Sequence, residues 1–325
     1  MSPPLSDHFN GKTFFQPHHA KAGKFSDLLK WKLTARSAPW PKQVKIPPQP
    51  APPAAAVGRI VITWIGHATF LIQTSEGNLL TDPVFSERTS PVQWAGPRRV
   101  HPPGVTLKDL PRIDAVLLSH DHYDHCDTHS LQQLAAAHNP TFVAPLRHRE
   151  LLTRAGARRV VELDWWEQHA FGAGQIQLTP SKHWSNRFGT PRNHRLWGGY
   201  FLTIPRATGH QPPQRIWFVG DTGYDESLGP EIRQRLGAPD LAFMPIGAYE
   251  PRWFMAPMHM NPAEAVQLHQ TVGASVSIGM HWGTFQLTDE AREAPLQALN
   301  EARAAAGVEP SHFRVLDPGE SHTLT

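Results

Sequence analysis

Cysteine is almost missing from this chain. Cys126 is the single one in 325 residues, so no internal disulfide can form, as expected of a reducing compartment. Long apolar runs are missing too. No stretch approaches the roughly 18 apolar residues of a membrane-spanning helix, and the N-terminus lacks the apolar core of a secretory signal. The expectation is a cytoplasmic protein, with peripheral contact to a membrane left open. Nor is charge of one sign concentrated. The net charge is +3 although the pI is near 9.1, and the pairs Arg98-Arg99 and Arg158-Arg159 are too short to form a nucleic-acid footprint. Nucleic acid is therefore excluded as a first partner. With 40% hydrophobic and 18% charged residues, the chain suits an ordinary globule able to bury a sizeable core.

Histidine is abundant instead, at 20 residues. Between Ser119 and Cys126 the chain reads His120-Asp121-His122-Tyr123-Asp124-His125. Neutral imidazole and ionised carboxylate are the usual ligands of a metal that keeps an open position for water or substrate. Packing so many ionisable groups into one short segment is electrostatically wasteful without a cation. His183, Asp221 and His281 follow at wide spacing. With His120, His122, Asp124 and His125 they can hold two divalent ions side by side, and Asp221 is the natural bridging carboxylate. A bound ion lowers the pKa of its water to about 7, so a hydroxide nucleophile exists at neutral pH. Zinc fits this donor set, as do iron and manganese. The remaining histidines, among them His8, His18, His19, His138, His148, His194, His210, His269, His312 and His322, read as surface or internally satisfied groups. Cys126 reads as a small buried thiol.

Residues 1–57 differ from the rest and form a Pro-rich N-terminal extension with ten prolines. The run 47–53 favours an extended polyproline-type linker. Before it, residues 25–33 suit a short basic amphipathic helix. That helix either sits on a membrane interface, or Phe14, Phe15, Leu28, Leu29 and Trp31 pack back on the domain. From residue 58 to 325 the chain reads as one domain. Short β-branched and aromatic runs at 59–65, 69–73, 79–82, 113–118, 141–144, 176–179, 200–204, 215–219, 241–244 and 276–280 are strand candidates. Asn261-Pro262-Ala263-Glu264 is a helix start, with Asn as N-cap, Pro at the first helical position and Glu two beyond it, for a helix running to about Thr271. Strands mixed with helices predict a layered α/β architecture. The expected ligands fall just past strands, where a rigid sheet edge can hold them to the tolerance a metal demands.

The segments 64–69, 81–86, 163–167, 220–224, 245–255 and 281–285, together with the His120-x-His122-x-Asp124-His125 motif, resemble the metallo-β-lactamase fold. More narrowly they resemble its branch containing N-acyl-phosphatidylethanolamine-hydrolysing phospholipase D and bacterial relatives, over roughly 59–322. The resemblance implies an αβ/βα sandwich, two mixed β-sheets face to face with helices outside. It also implies two Zn2+ per chain: His120, His122 and His183 around one, Asp124, His125 and His281 around the other, and Asp221 between them. In that family a metal-bridging hydroxide attacks a phosphodiester of a glycerophospholipid. Asp124 would orient it, His259 falls where a family histidine lies beside the site, and Tyr123 is placed to hydrogen-bond substrate. Two departures stand out: Lys182 precedes the third ligand histidine where the phospholipase has Gln, and Met258-His259-Met260 replaces Gln-His-Val. Lys182 either favours an anionic substrate or points to solvent, and Trp165-Trp166 either lines an apolar groove or packs in the core. A lactonase or another ester or amide hydrolase on the same scaffold is the alternative, then a non-catalytic, metal-stabilised, membrane-associated protein. A homodimer is left open.

Overall fold

The structure is a computed structural model, and it describes residues 6–17, 25–46, 58–206 and 211–324. Two seven-stranded mixed sheets carry the fold. The first contains β1 (Ile60–Gly66), β2 (Thr69–Thr74), β3 (Gly77–Thr81), β4 (Ala115–Leu117), β5 (Thr141–Pro145), β6 (Arg159–Leu163) and, along its β1 edge, β14 (Ser321–Leu324). The second runs in order from β7 (Gln168–Phe171) through β8 (Gly174–Thr179), β9 (Gly199–Ile204), β10 (Gln214–Phe218), β11 (Leu241–Pro245) and β12 (Val276–Met280) to β13 (Phe313–Arg314). The helices are α1 (Phe25–Thr34), α2 (Thr128–His138), α3 (Arg149–Arg154), α4 (Leu228–Leu236), α5 (Arg252–Met255), α6 (Pro262–Val272) and α7 (Ala294–Ala306).

Each sheet is antiparallel in one half and parallel in the other: β3 to β6 in the first, β10 to β13 in the second. Parallel neighbours need a crossover, and a helix supplies most of them. α2 and α3 link β4, β5 and β6, and α4, α6 and α7 link β10 to β13. Side chains alternate across a strand. In β2, Phe70 and Ile72 face the large core shared by both sheets, while Leu71 joins the smaller core under Leu131, Leu134, Leu151 and Leu152 of α2 and α3. Both faces of the sheet are thus covered, so β1 and β2 are buried at every residue. The arrangement is the expected αβ/βα sandwich.

The ten anticipated strands are present with ends shifted by a few residues. β6, β7, β13 and β14 were not anticipated. β6 and β7 are half-exposed, and β13 spans only two residues, so none carries a full apolar signature. α6 begins as read: the Asn261 side chain accepts from Glu264 N while Glu264 accepts from Asn261 N, closing a capping box. It ends at Gly273, whose left-handed φ of 73° suits glycine.

The N-terminal stretch packs in part. Phe9 and Phe14 are buried in the large core, and Trp31 is buried on Met255 and Met258. Phe15, Leu28 and Leu29 remain exposed, as does Leu33 at 77%, which leaves an apolar stripe of α1 in solvent. No helix among the described residues is long and apolar enough to cross a membrane. The 47–53 run, His18, His19 and His210 lie outside the described residues.

His8 ties this stretch down. Its ring contacts Asp7 at 2.6 Å and Asp164 at 2.7 Å and stacks on Trp165. Burial alone would lower the His8 pKa, but the Asp164 and Asp7 carboxylates outweigh it and raise it above its ordinary value. The folded state therefore holds the proton more tightly than the unfolded chain. The contribution is complete below pH about 6.5 and is lost as pH rises through the raised folded value. Amide exchange across 6–17 is expected to accelerate between pH 5.5 and 8.5, after correction for intrinsic rates, and H8N should abolish that extra acceleration. Equal pH profiles for wild type and H8N would rule the clamp out.

Candidate metal centre

The anticipated ligands converge where strands end. His120 to His125 occupy the loop after β4, which passes into α2 through the Asp127 N-cap. His183 lies shortly after β8, Asp221 after β10, and His281 directly after β12 with a left-handed φ of 61°. In open α/β sheets this crevice beyond the carboxyl ends of parallel strands is where ligands bind.

Donor atoms fall into two sets. In one, His120 Nε2 and His122 Nδ1 are 2.9 Å apart, and His183 Nε2 is 3.3 Å from His122 Nδ1. In the other, Asp124 Oδ2 lies 3.4 Å from His125 Nε2 and 3.3 Å from His281 Nε2. Asp221 Oδ2 reaches both: it is 3.2 and 3.1 Å from His125 and His281 Nε2, and 3.8 and 4.0 Å from His183 and His120 Nε2. Ligands about 2.0–2.1 Å from a tetrahedral metal stand roughly 3.3 Å from one another, so these spacings suit shared cations. Among the described residues the buried His125 Nε2, His281 Nε2 and Asp221 Oδ1 have no hydrogen-bond partner. Buried polar atoms are rarely left so, and a cation would satisfy them.

The outer ring nitrogens are held from behind. His125 Nδ1 contacts Asp82 Oδ2 at 2.7 Å, and Asp82 also accepts from Ser119 N and Ser119 Oγ. His183 Nδ1 lies 3.0 Å from Met258 O, so it carries the proton and leaves the Nε2 lone pair facing inward. Asp121, despite its place in the motif, turns away to pair with Arg195 at 2.8 Å.

Electrostatics follow from burial and pairing. Burial alone would raise the Asp221 carboxyl, yet His125 and His281 hold it well below the usual carboxylate range. Asp124 is depressed in the same way, chiefly by His125 against its own burial. Burial opposes charge on His281, but Asp221 and Asp124 raise it to about 9. His125 is raised for the same reason. The carboxylates that raise these two histidines would attract a cation in the same place. His120 and His183 are pushed well below their ordinary value by burial first.

The other anticipated residues are nearby. His259 Nδ1 lies 3.9 Å from Asp221 Oδ2, and burial lowers its pKa to about 4. Tyr123 lines a cavity together with His122, Asp124, Asp221 and His259; its hydroxyl accepts from Phe188 N at 3.3 Å and its ring carries the Arg187 guanidinium. Lys182 does not join them. Its Nζ donates to Tyr224 O, and the half-buried side chain lines a separate hollow with Trp165 and Trp166, away from the metal centre. Trp165 and Trp166 pack against the core, and Trp165 Nε1 donates to Trp197 O. Cys126 is buried as expected.

Two residues escaped the sequence reading. His67, in the β1–β2 turn, is 2% exposed and sets its Nε2 3.0 Å from Asp124 Oδ2. Asp82 backs His125 from the end of β3. Both have left-handed backbone, φ 54° and 31°. The signals available were a polar residue at a strand end and the place of both residues in the segments 64–69 and 81–86 that carry the family resemblance.

The Beta-lactamase superfamily domain matches residues 77–282. The chain belongs to that superfamily. Within it, the chain is a member of the N-acyl-phosphatidylethanolamine-hydrolysing phospholipase D-like group. It is 38% identical over 271 residues to "N-acyl-phosphatidylethanolamine-hydrolyzing phospholipase D 1" of Caenorhabditis elegans, covering 79% of this chain and 74% of that protein. An uncharacterized protein of Mycobacterium tuberculosis is 36% identical over 302 residues, 90% of this chain and 76% of the relative. The solved structure of a possible metal-dependent hydrolase from Veillonella parvula superposes with a TM-score of 0.64 at 18% identity, covering 83% of this chain and all of that one (100%), and supports the fold. As a phospholipase D-like member of this superfamily, the protein is a metal-dependent hydrolase.

Proposed function

We propose that the protein is a dinuclear zinc phosphodiesterase of phospholipase D type, acting on N-acyl-phosphatidylethanolamine or a related glycerophospholipid. The observation that carries this reading is Asp221 Oδ2, which stands within 3.1–4.0 Å of inward ring nitrogens from both donor sets. His120, His122 and His183 would hold one ion, Asp124, His125 and His281 the other, with Asp221 between. When bound, the ions supply ionised water at neutral pH and Lewis acidity toward phosphoryl oxygen.

The chain's own residues do the rest. Asp82 and the Met258 carbonyl hold His125 and His183 in the tautomers that present Nε2 inward. Asp124 faces the cavity, where its carboxylate can accept a hydrogen bond from the attacking water and orient it. His259 is held neutral by burial, so it can donate one N–H to a phosphoryl oxygen. Tyr123 lies at the same opening.

A cavity of about 540 Å³ opens over the centre. Trp31, Phe254, Met255 and Met258 pack into one wall and Leu28 and Leu287 add to the lining, apolar enough for an acyl chain. The size and character of that wall, together with the named worm relative, support a lipid over a small lactone. The test offers the zinc-loaded protein N-acyl-phosphatidylethanolamine, bis-p-nitrophenyl phosphate, lactones and a β-lactam. Phosphodiester cleavage with release of phosphatidic acid is expected. Turnover of lactones alone would replace this reading with the lactonase one, and no turnover with metal bound would make the protein a binding module.

A further inference from the structure

Beside the apolar wall, where Trp184 packs against Trp31, Met255 and Met258, the cavity lining carries a permanent cation. Among the described residues lining it, Arg192 is the only Lys or Arg. Its guanidinium lies 4.2 Å from the ring centroid of Trp184, and that ring meets His122 edge-on at 4.6 Å. The positive charge is therefore one aromatic ring away from a donor of the metal centre. A cation held over an indole keeps its charge while its position is restricted.

The loop that carries Arg192 is firmly pinned. Ser185 N donates to Asn193 Oδ1, Asn193 N donates back to Ser185 O, and Ser185 Oγ donates to Arg195 O. Two further arginines lie close by: Arg187 donates to the Asp121 and Cys126 carbonyls, and Arg195 pairs with Asp121. Of the three, Arg192 is the one that lines the cavity.

We propose that Arg192, seated on Trp184, is a specificity-determining residue that selects substrates carrying a negative charge next to the scissile bond. This rests on the phosphodiesterase reading, since a phosphodiester is a monoanion and a lactone is neutral. Arg192 acts by binding the ground state and the transition state alike, so it governs KM and leaves kcat nearly unchanged.

The test uses the full zinc-loaded chain with bis-p-nitrophenyl phosphate and the neutral p-nitrophenyl acetate. R192Q is expected to raise KM for the anion roughly five- to tenfold, and R192E further, while kcat stays within about twofold. R192K should restore most of the wild-type KM, and acetate kinetics should not change. Added NaCl should raise the wild-type KM for the anion more steeply than that of R192Q. Inhibition of acetate hydrolysis by dibutyl phosphate should weaken by the same factor in R192Q. That last measurement separates the two ideas: a wild type that cleaves no phosphodiester but still shows the Arg192-dependent inhibition would sink the substrate reading alone. Parallel changes on acetate and phosphate would make Arg192 a structural residue. Wild-type KM and inhibition in R192E would remove it from the site.

Discussion

Replacing Asp221 by Asn is expected to lower kcat/KM by about 10²–10³-fold and to empty at least one metal position. The substitution keeps the shape and removes the charge. Asp221 Oδ2 is the oxygen that both donor sets share, at 3.1 Å from His281 Nε2 and 3.8 Å from His183 Nε2. Two cations roughly 3.5–4 Å apart repel each other, and a carboxylate between them is what makes the pair tolerable. The Asn amide offers one neutral oxygen and, in the other position, N–H groups that a cation rejects. Metal analysis of the purified variant beside its rate gives the answer, with far-UV circular dichroism as the check on folding. Normal metal content with a normal rate in D221N would remove Asp221 from the centre and with it the dinuclear reading.

The second large effect is expected one step farther out. D82N should weaken metal binding by about 10–100-fold, although Asp82 belongs to neither donor set. Asp82 Oδ2 accepts from both His125 Nδ1, at 2.7 Å, and Ser119 Oγ, at 2.5 Å, while Oδ1 accepts from Ser119 N. Asn cannot accept at both positions. With its NH2 group toward His125, the ring must accept at Nδ1 and carry its proton at Nε2, the face meant for metal. The backbone should survive the change, because Asp82 sits at φ 31° and Asn tolerates left-handed geometry well. A zinc titration in competition with a chromophoric chelator measures the effect. Unchanged affinity in a folded D82N would show that His125 needs no orienting partner.

Much of this was legible along the chain because the signals are local. A β-strand in the middle of a covered sheet must be apolar on both faces, so β1, β2, β10, β11 and β12 announce themselves by short apolar runs. The start of α6 is written in four consecutive residues whose hydrogen bonds close on one another. The motif at 120–125 is equally local, since no common structural need places three imidazoles in six residues. Edge strands such as β6 and β7 have a solvent face and a blurred pattern, and they were missed for that reason.

Sequence by itself determined the candidate donor set, the strand-rich layered fold and the placing of those candidates at strand ends. Only the tertiary structure decided which polar residues face the centre and which turn away. His67 and Asp82 are an ordinary His and an ordinary Asp until β1, β3 and β4 lie side by side and bring them against Asp124 and His125. Asp121 and Lys182 stand next to ligands in sequence, yet the chain points them at Arg195 and at the Tyr224 carbonyl. Trp31 becomes a wall of the cavity through contacts with residues more than 200 positions away, such as the 2.9 Å bond from its Nε1 to Asp289. The reason is common to all of them. Residue type sets what a side chain can do, but its direction follows from backbone dihedrals and from neighbours that are distant in sequence, and neither is written in a local pattern.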